Sequence, residues 1–510
     1  MRSRLTAIIE LGSSGIRLLV AEIHTNGTWS VLDRAGRPIA LGRDVFTGGS
    51  ISRDLFLECL EGLRNFKELL ESWRIDMHDV HVIATSALRE ARNRDNFIDR
   101  VRIKTGFVIN VVEGIEENRL MYLAVRWALK EEGQRIGRTN SVILEVGGGS
   151  TEMMLLRRGK MVAAHSLRIG TLLVDQQLHQ HGNSMHYLHR YLKEQIQTTC
   201  ETLNTELKLS NVRNFIIAGA DARLAASRLG FEINDSCQVI DRTAFIDFVE
   251  KIREYSLEDC VHELHIPYAE AEGLVAGLLA YRYFLEKTSA ERIIVPNISI
   301  REGLLINLAS DEESTLQEEF FSQVIASAVS LGRKFHYDET HAQHVTLLSL
   351  KLFDLLQDEH GLDRRSRLLL EVAAILHDIG MFVRSSGHHK HSQYIVANSE
   401  IFALHRDDID IISNVVRYHR KNKPNNTHIS YIALQKEDRM LVLKLAAILR
   451  LADAMDRGHS QRIVDFEIER GRDFMLINTG TRKDHTLERM AIEEKGDMFE
   501  DVFGYKVQLI

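Results

Sequence analysis

The sequence predicts an α/β chain of two related lobes facing one cleft, followed by an all-α domain and a small α+β domain. Three observations carry that reading. Near the N-terminus an apolar run, Thr6 to Leu11, contains Glu10 and ends in the turn Gly12-Ser13-Ser14-Gly15, after which a second apolar run begins. The same design returns from Ser141 to Leu156, with Glu145 in the place of Glu10 and Gly147 in that of Gly12. Beyond the acidic stretch Ser310 to Thr315 the pattern turns helical and rich in histidine. The expected boundaries are 1–125 and 126–309 for the lobes, 316–461 for the helical domain and 462–510 for the last.

Taken in order, the first lobe opens on its glycine turn. A turn without Cβ atoms lets backbone N–H groups approach a polyanion, and a carboxylate at the strand end can hold a hydrated cation against the same phosphates. A plain glycine hairpin is the other reading, and the second copy, Gly147-Gly148-Gly149-Ser150, favours the phosphate cradle. A helix is expected from about Ser52 to Trp73, where Leu55, Cys59, Leu60, Leu63, Phe66, Leu69 and Leu70 recur at helical spacing. The strand His81 to Ala84 then enters Thr85 to Asn93, a helix start that favours an anion, with Arg89 and Arg92 beside it. Arg92 reads equally as a solvated surface residue.

Another strand, Phe107 to Val112, leads into a helix reaching about Lys130 that carries Glu116 and Glu117 at its start. Adjacent carboxylates at such a junction suit a general base, one turned to the cleft and one outward; they also simply complement the positive end of a helix. In the second lobe the glycine triplet is followed by Ser166 to Thr171, by the strand and turn Asn214 to Leu224, and by Ser299 to Leu305. The helical domain brings His341, the doublet His377-Asp378, and Asp453, each on an apolar helical background. Imidazole and carboxylate together suit manganese, iron or zinc. His391 and His419 are candidates for an additional ligand or phosphate contact. Alternating residues from Ile463, a segment Leu487 to Phe503 and a final strand from Tyr505 make the small α+β domain.

Composition sets outer limits. The 510 residues are too many for one core. No apolar run reaches the roughly 20 residues that span a bilayer, and the N-terminal residues lead into a strand rather than a signal-peptide core. A formal charge of −8 argues against a general nucleic-acid or membrane-surface binder. The four cysteines show no paired spacing, as expected of reduced thiols in a cytoplasmic protein.

The paired turns resemble the phosphate loops of the actin-like ATPase (ribonuclease H-like) superfold, and more closely those of the Ppx/GppA family of exopolyphosphatases and guanosine pentaphosphate phosphohydrolases. Thr85, Arg89, Ala91 and Asn93 match the family's Thr-x-x-x-Arg-x-Ala-x-Asn pattern. Its Ser-Gly-x-Glu-Glu-Ala motif places the catalytic base on Glu117, with Glu113 and Asn118 departing from it. His341, His377, Asp378 and Asp453 follow the ligand order of HD-type metal phosphohydrolases. The resemblance implies removal of a terminal phosphoryl group from inorganic polyphosphate or guanosine pentaphosphate. In that scheme Glu117 acts as base, Glu10 and Glu145 address Mg2+, and Gly12, Ser13, Ser14, Gly147, Gly148, Gly149, Ser150 and Arg89 hold phosphate. It also implies a homodimer.

The departures bear on activity more than on fold. The family's strand-end aspartates are Glu10 and Glu145 here, each about 1.5 Å longer in reach. Its third phosphate turn, Gly-x-Ser/Gly-Gly-Thr, keeps Gly219 but carries Asp221, Ala222 and Arg223. Two rivals follow: an HD-type metal phosphohydrolase whose N-terminal lobes only bind, and a sensor of polyphosphate or nucleotide that does not turn over.

Overall fold

A computed structural model describes residues 3–130, 137–180, 185–310, 315–480 and 484–510. Most of the expected acidic linker, residues 311–314, lies outside the described residues. The chain divides into two compact units, Met1–Glu319 and Phe320–Ile510.

The first unit holds two sheets. One contains β1 (Arg4–Gly12), β2 (Gly15–Ile23), β3 (Trp29–Pro38), β4 (Val80–Ala84) and β5 (Ile109–Val111), in the order β3-β2-β1-β4-β5. The other contains β6 (Asn140–Val146), β7 (Thr151–Arg157), β8 (Lys160–Leu167), β9 (Val212–Ala218), β10 (Phe231–Asn234), β11 (Cys237–Asp241) and β12 (Arg292–Pro296), in the order β10-β11-β12-β9-β6-β7-β8. Duplication is visible in the topology. Three antiparallel strands continue into two parallel ones in both sheets, β3-β2-β1-β4-β5 corresponding to β8-β7-β6-β9-β12. Glu10 pairs with Arg17 across the first hairpin and Glu145 with Glu152 across the second, so equivalent registers bring both carboxylates to the strand ends.

The inner strands β1, β2, β6, β7 and β9 are buried along most of their length on both faces, as in sheets covered by helices, whereas the edge strands β3 and β10 are partly exposed. Helix Arg53–Ser72 forms where expected, its N-terminus capped by the Ser52 hydroxyl, which accepts from the Leu55 amide at 3.3 Å. Helix Leu41–Gly48 does not follow from the sequence, in which only a glycine-containing loop at Gly48-Gly49 is expected here. Leu41, Val45 and Phe46 are buried on one side of it, and Gly49, at φ +72°, closes it. The flanking glycines mask the helical spacing of so short an element.

Helix Gly114–Ala128, which carries Glu117, crosses helix Ile300–Ala309 at Gly303. A Cβ there would lie 2.6 Å from the Leu120 carbonyl carbon and closer still to its oxygen, so only glycine permits the approach.

The second unit is helical around a core that includes Leu352, Leu370, Ile412, Leu445 and Ile448. It ends in a three-stranded sheet of β13 (Glu467–Arg470), β14 (Phe474–Asn478) and β15 (Lys506–Leu509), with helices Thr486–Lys495 and Asp497–Phe503 between the last two strands. No helix of the described residues is long and apolar enough to cross a membrane.

Replacing Gly303 by alanine should therefore lower the unfolding free energy by about 1–3 kcal/mol through overpacking against Leu120, read as a fall in the urea midpoint.

Candidate active sites

The two glycine turns meet. A Cβ on Gly148 would lie 2.7 Å from the Cβ of Ser13, one on Gly149 would strike the Phe46 ring and lie 2.9 Å from the Ser86 hydroxyl, and one on Gly170 would strike the backbone of the triplet. None of Gly147, Gly148 and Gly149 adopts a positive φ. The triplet is thus required for close approach, and at Gly148 and Gly149 the freed space is filled by the opposite lobe rather than left open to a ligand. The amides remain available: those of Ser13, Ser14, Gly148 and Gly149 donate to no acceptor among the described residues. The Ser13 and Ser86 hydroxyls lie 3.3 Å apart, and Arg17 donates to the Ser14 hydroxyl at 3.1 Å.

Around these turns a cavity of about 140 Å³ is lined by Glu10, Glu117, Glu145, Glu152, Asp221, Glu270 and Glu272 together with Arg17, Arg223 and Arg301. Glu117, 8% exposed, faces it from the first turn of its helix, while Glu116 turns away and is gripped by Arg119 at 2.7 Å. Burial pushes the Glu117 carboxyl up, opposed by the Arg89 guanidinium bonded to it and reinforced by Glu10. Arg89 also donates to the Val112 carbonyl at 2.7 Å, which fixes it beside Glu117. Arg92 instead donates to the carbonyls of Gly48 and Gly49 and closes a loop.

Burial, then the charges of Glu117 and Glu10, raise Glu145 to about 8. Glu145 has no hydrogen-bond or ion-pair partner among the described residues. Glu10 has a protein cation beside it: Arg301 Nε stands 3.1 Å from its carboxylate. Among the described residues no three side chains of this cleft converge as a metal-binding group.

Sequence reasoning missed Glu152. Its buried carboxylate accepts from Ser150 at 2.9 Å, Ser166 at 2.7 Å and Asn118 at 2.9 Å, and burial beside Glu117 raises it to about 8. The available signal was its position opposite Glu145 in the hairpin register. The third turn, at Gly219 (φ +106°), is tied to the second by Tyr281, whose hydroxyl accepts from the Val146 amide at 3.0 Å and donates to the Ala218 carbonyl at 2.6 Å. Asp221 in that turn is raised to about 7 by burial and by Glu270.

The second unit gathers another set. His341, His377 and Asp453 form one group that could hold a metal ion, and Asp378, His388 and His419 another. His388 takes the place expected for His391: its Nε2 is 3.1 Å from Asp378. At His391 the backbone, rather than the ring, packs on the turn, since a Cβ on Gly380 would lie 2.8 Å from the His391 carbonyl carbon.

The tautomers are set from behind. Nδ1 of His377, His388 and His419 faces the carbonyls of Ala374, Ser385 and Val416 at 2.7, 2.9 and 2.6 Å, and His341 Nδ1 faces Asp456 at 2.8 Å. All four Nε2 atoms are left to point inward, and those of His341 and His377 are buried without a hydrogen-bond partner. That arrangement is how proteins orient metal-binding imidazoles. Burial lowers His377 to about 4; His341, despite burial, is raised to about 9 by Asp453 and Asp456. The donor set fits a divalent transition ion.

Comparison with known proteins finds two family models: Ppx/GppA phosphatase family over residues 19–312, and Ppx/GppA phosphatase, domain III, over residues 325–494. The guanosine-5'-triphosphate,3'-diphosphate pyrophosphatase of Aliivibrio fischeri is 23% identical over 475 residues, covering 88% of this chain and 87% of that protein. The protein of the same name from Aeromonas hydrophila is 24% identical, covering 78% and 77%. The crystal structure of an exopolyphosphatase from Cytophaga hutchinsonii matches with a TM-score of 0.54 at 19% identity, covering 60% of this chain and 98% of that one. An exopolyphosphatase-like protein matches with a TM-score of 0.52 at 18% identity over the same shares.

The raised carboxyls make a pH prediction. A Glu145 held near 8 in the folded chain, against 4.5 ordinarily, contributes stability below about pH 4.5 that is lost as pH rises through 8. Glu145→Gln should remove that loss, gaining at least about 1 kcal/mol on the wild type between pH 5 and 8 in urea titrations.

Proposed function

The chain belongs to the Ppx/GppA phosphatase family, and from that membership we propose that it hydrolyses the terminal phosphoryl group of guanosine pentaphosphate or inorganic polyphosphate in the cleft of its first unit. The carrying observation is Glu117. It is a buried carboxylate held by Arg89 at the wall of a cavity whose opposite wall is two turns with unpartnered amides. The names of the relatives support the reaction class, a phosphoric anhydride hydrolysis.

Each group has one task in this reading. The free amides of Ser13, Ser14, Gly148 and Gly149 and the hydroxyls beside them bind phosphate oxygens, as preorganised dipoles do most of the work in phosphoryl transfer. Glu117 takes the proton of the attacking water. Arg89 opposes, without cancelling, the burial that raises Glu117, and orients it. Arg301 neutralises Glu10 and leaves Glu145 as the carboxylate that addresses the cation. A magnesium ion carried in with the substrate would supply charge neutralisation for the leaving phosphate. At about 140 Å³ the cavity admits the group to be removed and little more, being well under the roughly 300 Å³ of small-ligand pockets.

A second reading is favoured by one observation, the four inward Nε2 atoms of the second unit. In it His341, His377, Asp453, Asp378, His388 and His419 form an HD-type metal centre. A divalent manganese, iron or zinc ion there would supply Lewis acidity for phosphoester hydrolysis. Asp378, facing His377 on one oxygen and His388 and His419 on the other, is the carboxylate the two groups share.

Glu117→Gln should lower orthophosphate release from polyphosphate or guanosine pentaphosphate by about 10²–10⁴-fold with substrate binding retained. An unchanged rate removes Glu117 from the mechanism. Asp378→Ala should leave that activity in place while stripping the one or two transition ions per chain expected by metal analysis of the wild type. If Asp378→Ala abolishes turnover and Glu117→Gln does not, the chemistry belongs to the second unit.

A further inference from the structure

The carboxylate of Asp453 has two occupants. Its Oδ1 faces the partnerless Nε2 atoms of His341 and His377, at 3.6 and 3.9 Å. Its Oδ2 is bonded to the ammonium of Lys495, which arrives from the C-terminal α+β segment as the last residue of helix Thr486–Lys495. Lys495 is 5% exposed and Asp453 7%. The lysine is fixed at its backbone too: Arg450, one turn before Asp453 on helix Lys436–Met455, donates from Nε to the Lys495 carbonyl at 3.0 Å and from Nη2 to Asp497 at 3.2 Å. The same guanidinium donates to the carbonyl of Lys421, two residues past His419, at 2.6 Å.

An ion bound by Oδ1 and the two imidazoles at about 2.0–2.2 Å would place two positive charges within a few ångströms of a buried ammonium. Screening there is weak, so ion and ammonium oppose each other. The group Asp378, His388 and His419 has no such lysine against it among the described residues. Resting on the metal-centre reading above, we propose that Lys495 is a resident cation competing with divalent metal for Asp453, so that full loading of the centre and seating of the C-terminal segment oppose each other. The Asp378 group then loads first, and the Asp453 group loads as Lys495 withdraws.

The test uses the full chain, stripped with chelator and titrated with Mn2+, free ion being read by electron paramagnetic resonance. Wild type should bind in two steps. Lys495→Met should tighten the weaker step about tenfold or more, on the scale by which outer residues tune metal sites, and leave the stronger step unchanged. Lys495→Arg, which keeps the charge, should behave as wild type. A second arm needs no substitution: amide hydrogen exchange of residues 486–510 in the wild type should speed up when the second ion binds.

A weaker step that is unchanged or loosened in Lys495→Met overturns the competition and makes Lys495 a positioning residue for Asp453. Exchange in 486–510 that is indifferent to loading overturns the linkage. Binding of Mn2+ by neither protein overturns the metal-centre reading itself, a result distinct from both.

Discussion

The first unit depends on a contact that has no side chain on one of its sides. Gly148 and Gly149 lie against Ser13, Phe46 and Ser86, so the two hairpins touch through bare backbone, and Gly170 seats the returning strand against the same turn. Any Cβ in that seam would push the lobes apart by the width of a methyl group, and the cavity beside it would widen with them. Its closeness also explains the electrostatics. Seven carboxylates and three arginines line one small volume, and the buried acids Glu145 and Glu152, which have no guanidinium bonded to them, hold their protons more tightly.

The two units handle buried acid in opposite ways. In the first, Glu145 and Glu152 are raised because burial and the neighbouring Glu117 outweigh the arginines around them. In the second, Asp378 and Asp453 stay well below the usual carboxylate range although burial acts against them, because imidazoles and Lys495 stand close by. Local chemistry, not the amount of burial, separates them.

Much of this was legible in the sequence because it rests on local pattern. The twin hairpins show as two copies of one motif, and the period of helix Arg53–Ser72 is written in its leucines. The split roles of Glu116 and Glu117 are what a strand-to-helix junction imposes on neighbouring residues. What could not be read depends on long-range pairing. Arg301 lies 291 positions from the Glu10 it neutralises, Lys495 lies 42 positions from Asp453, and no local spacing announces either. Glu152 was within reach, since hairpin register sets it opposite Glu145, but its importance comes from Asn118 and Ser166, which arrive from other elements.

The hydroxyl of Tyr281 is a small feature with a wide reach. It accepts from the amide that ends β6 and donates to the carbonyl that ends β9, so one oxygen rivets the second glycine turn to the turn at Gly219. Adjacent parallel strands normally diverge past their last ladder bond and leave their loops free to drift apart. Here they cannot part without breaking a buried bond pair. The second lobe therefore holds its two turns as one piece, and their spacing is set by a side chain of helix Leu274–Glu286 rather than by the loops themselves.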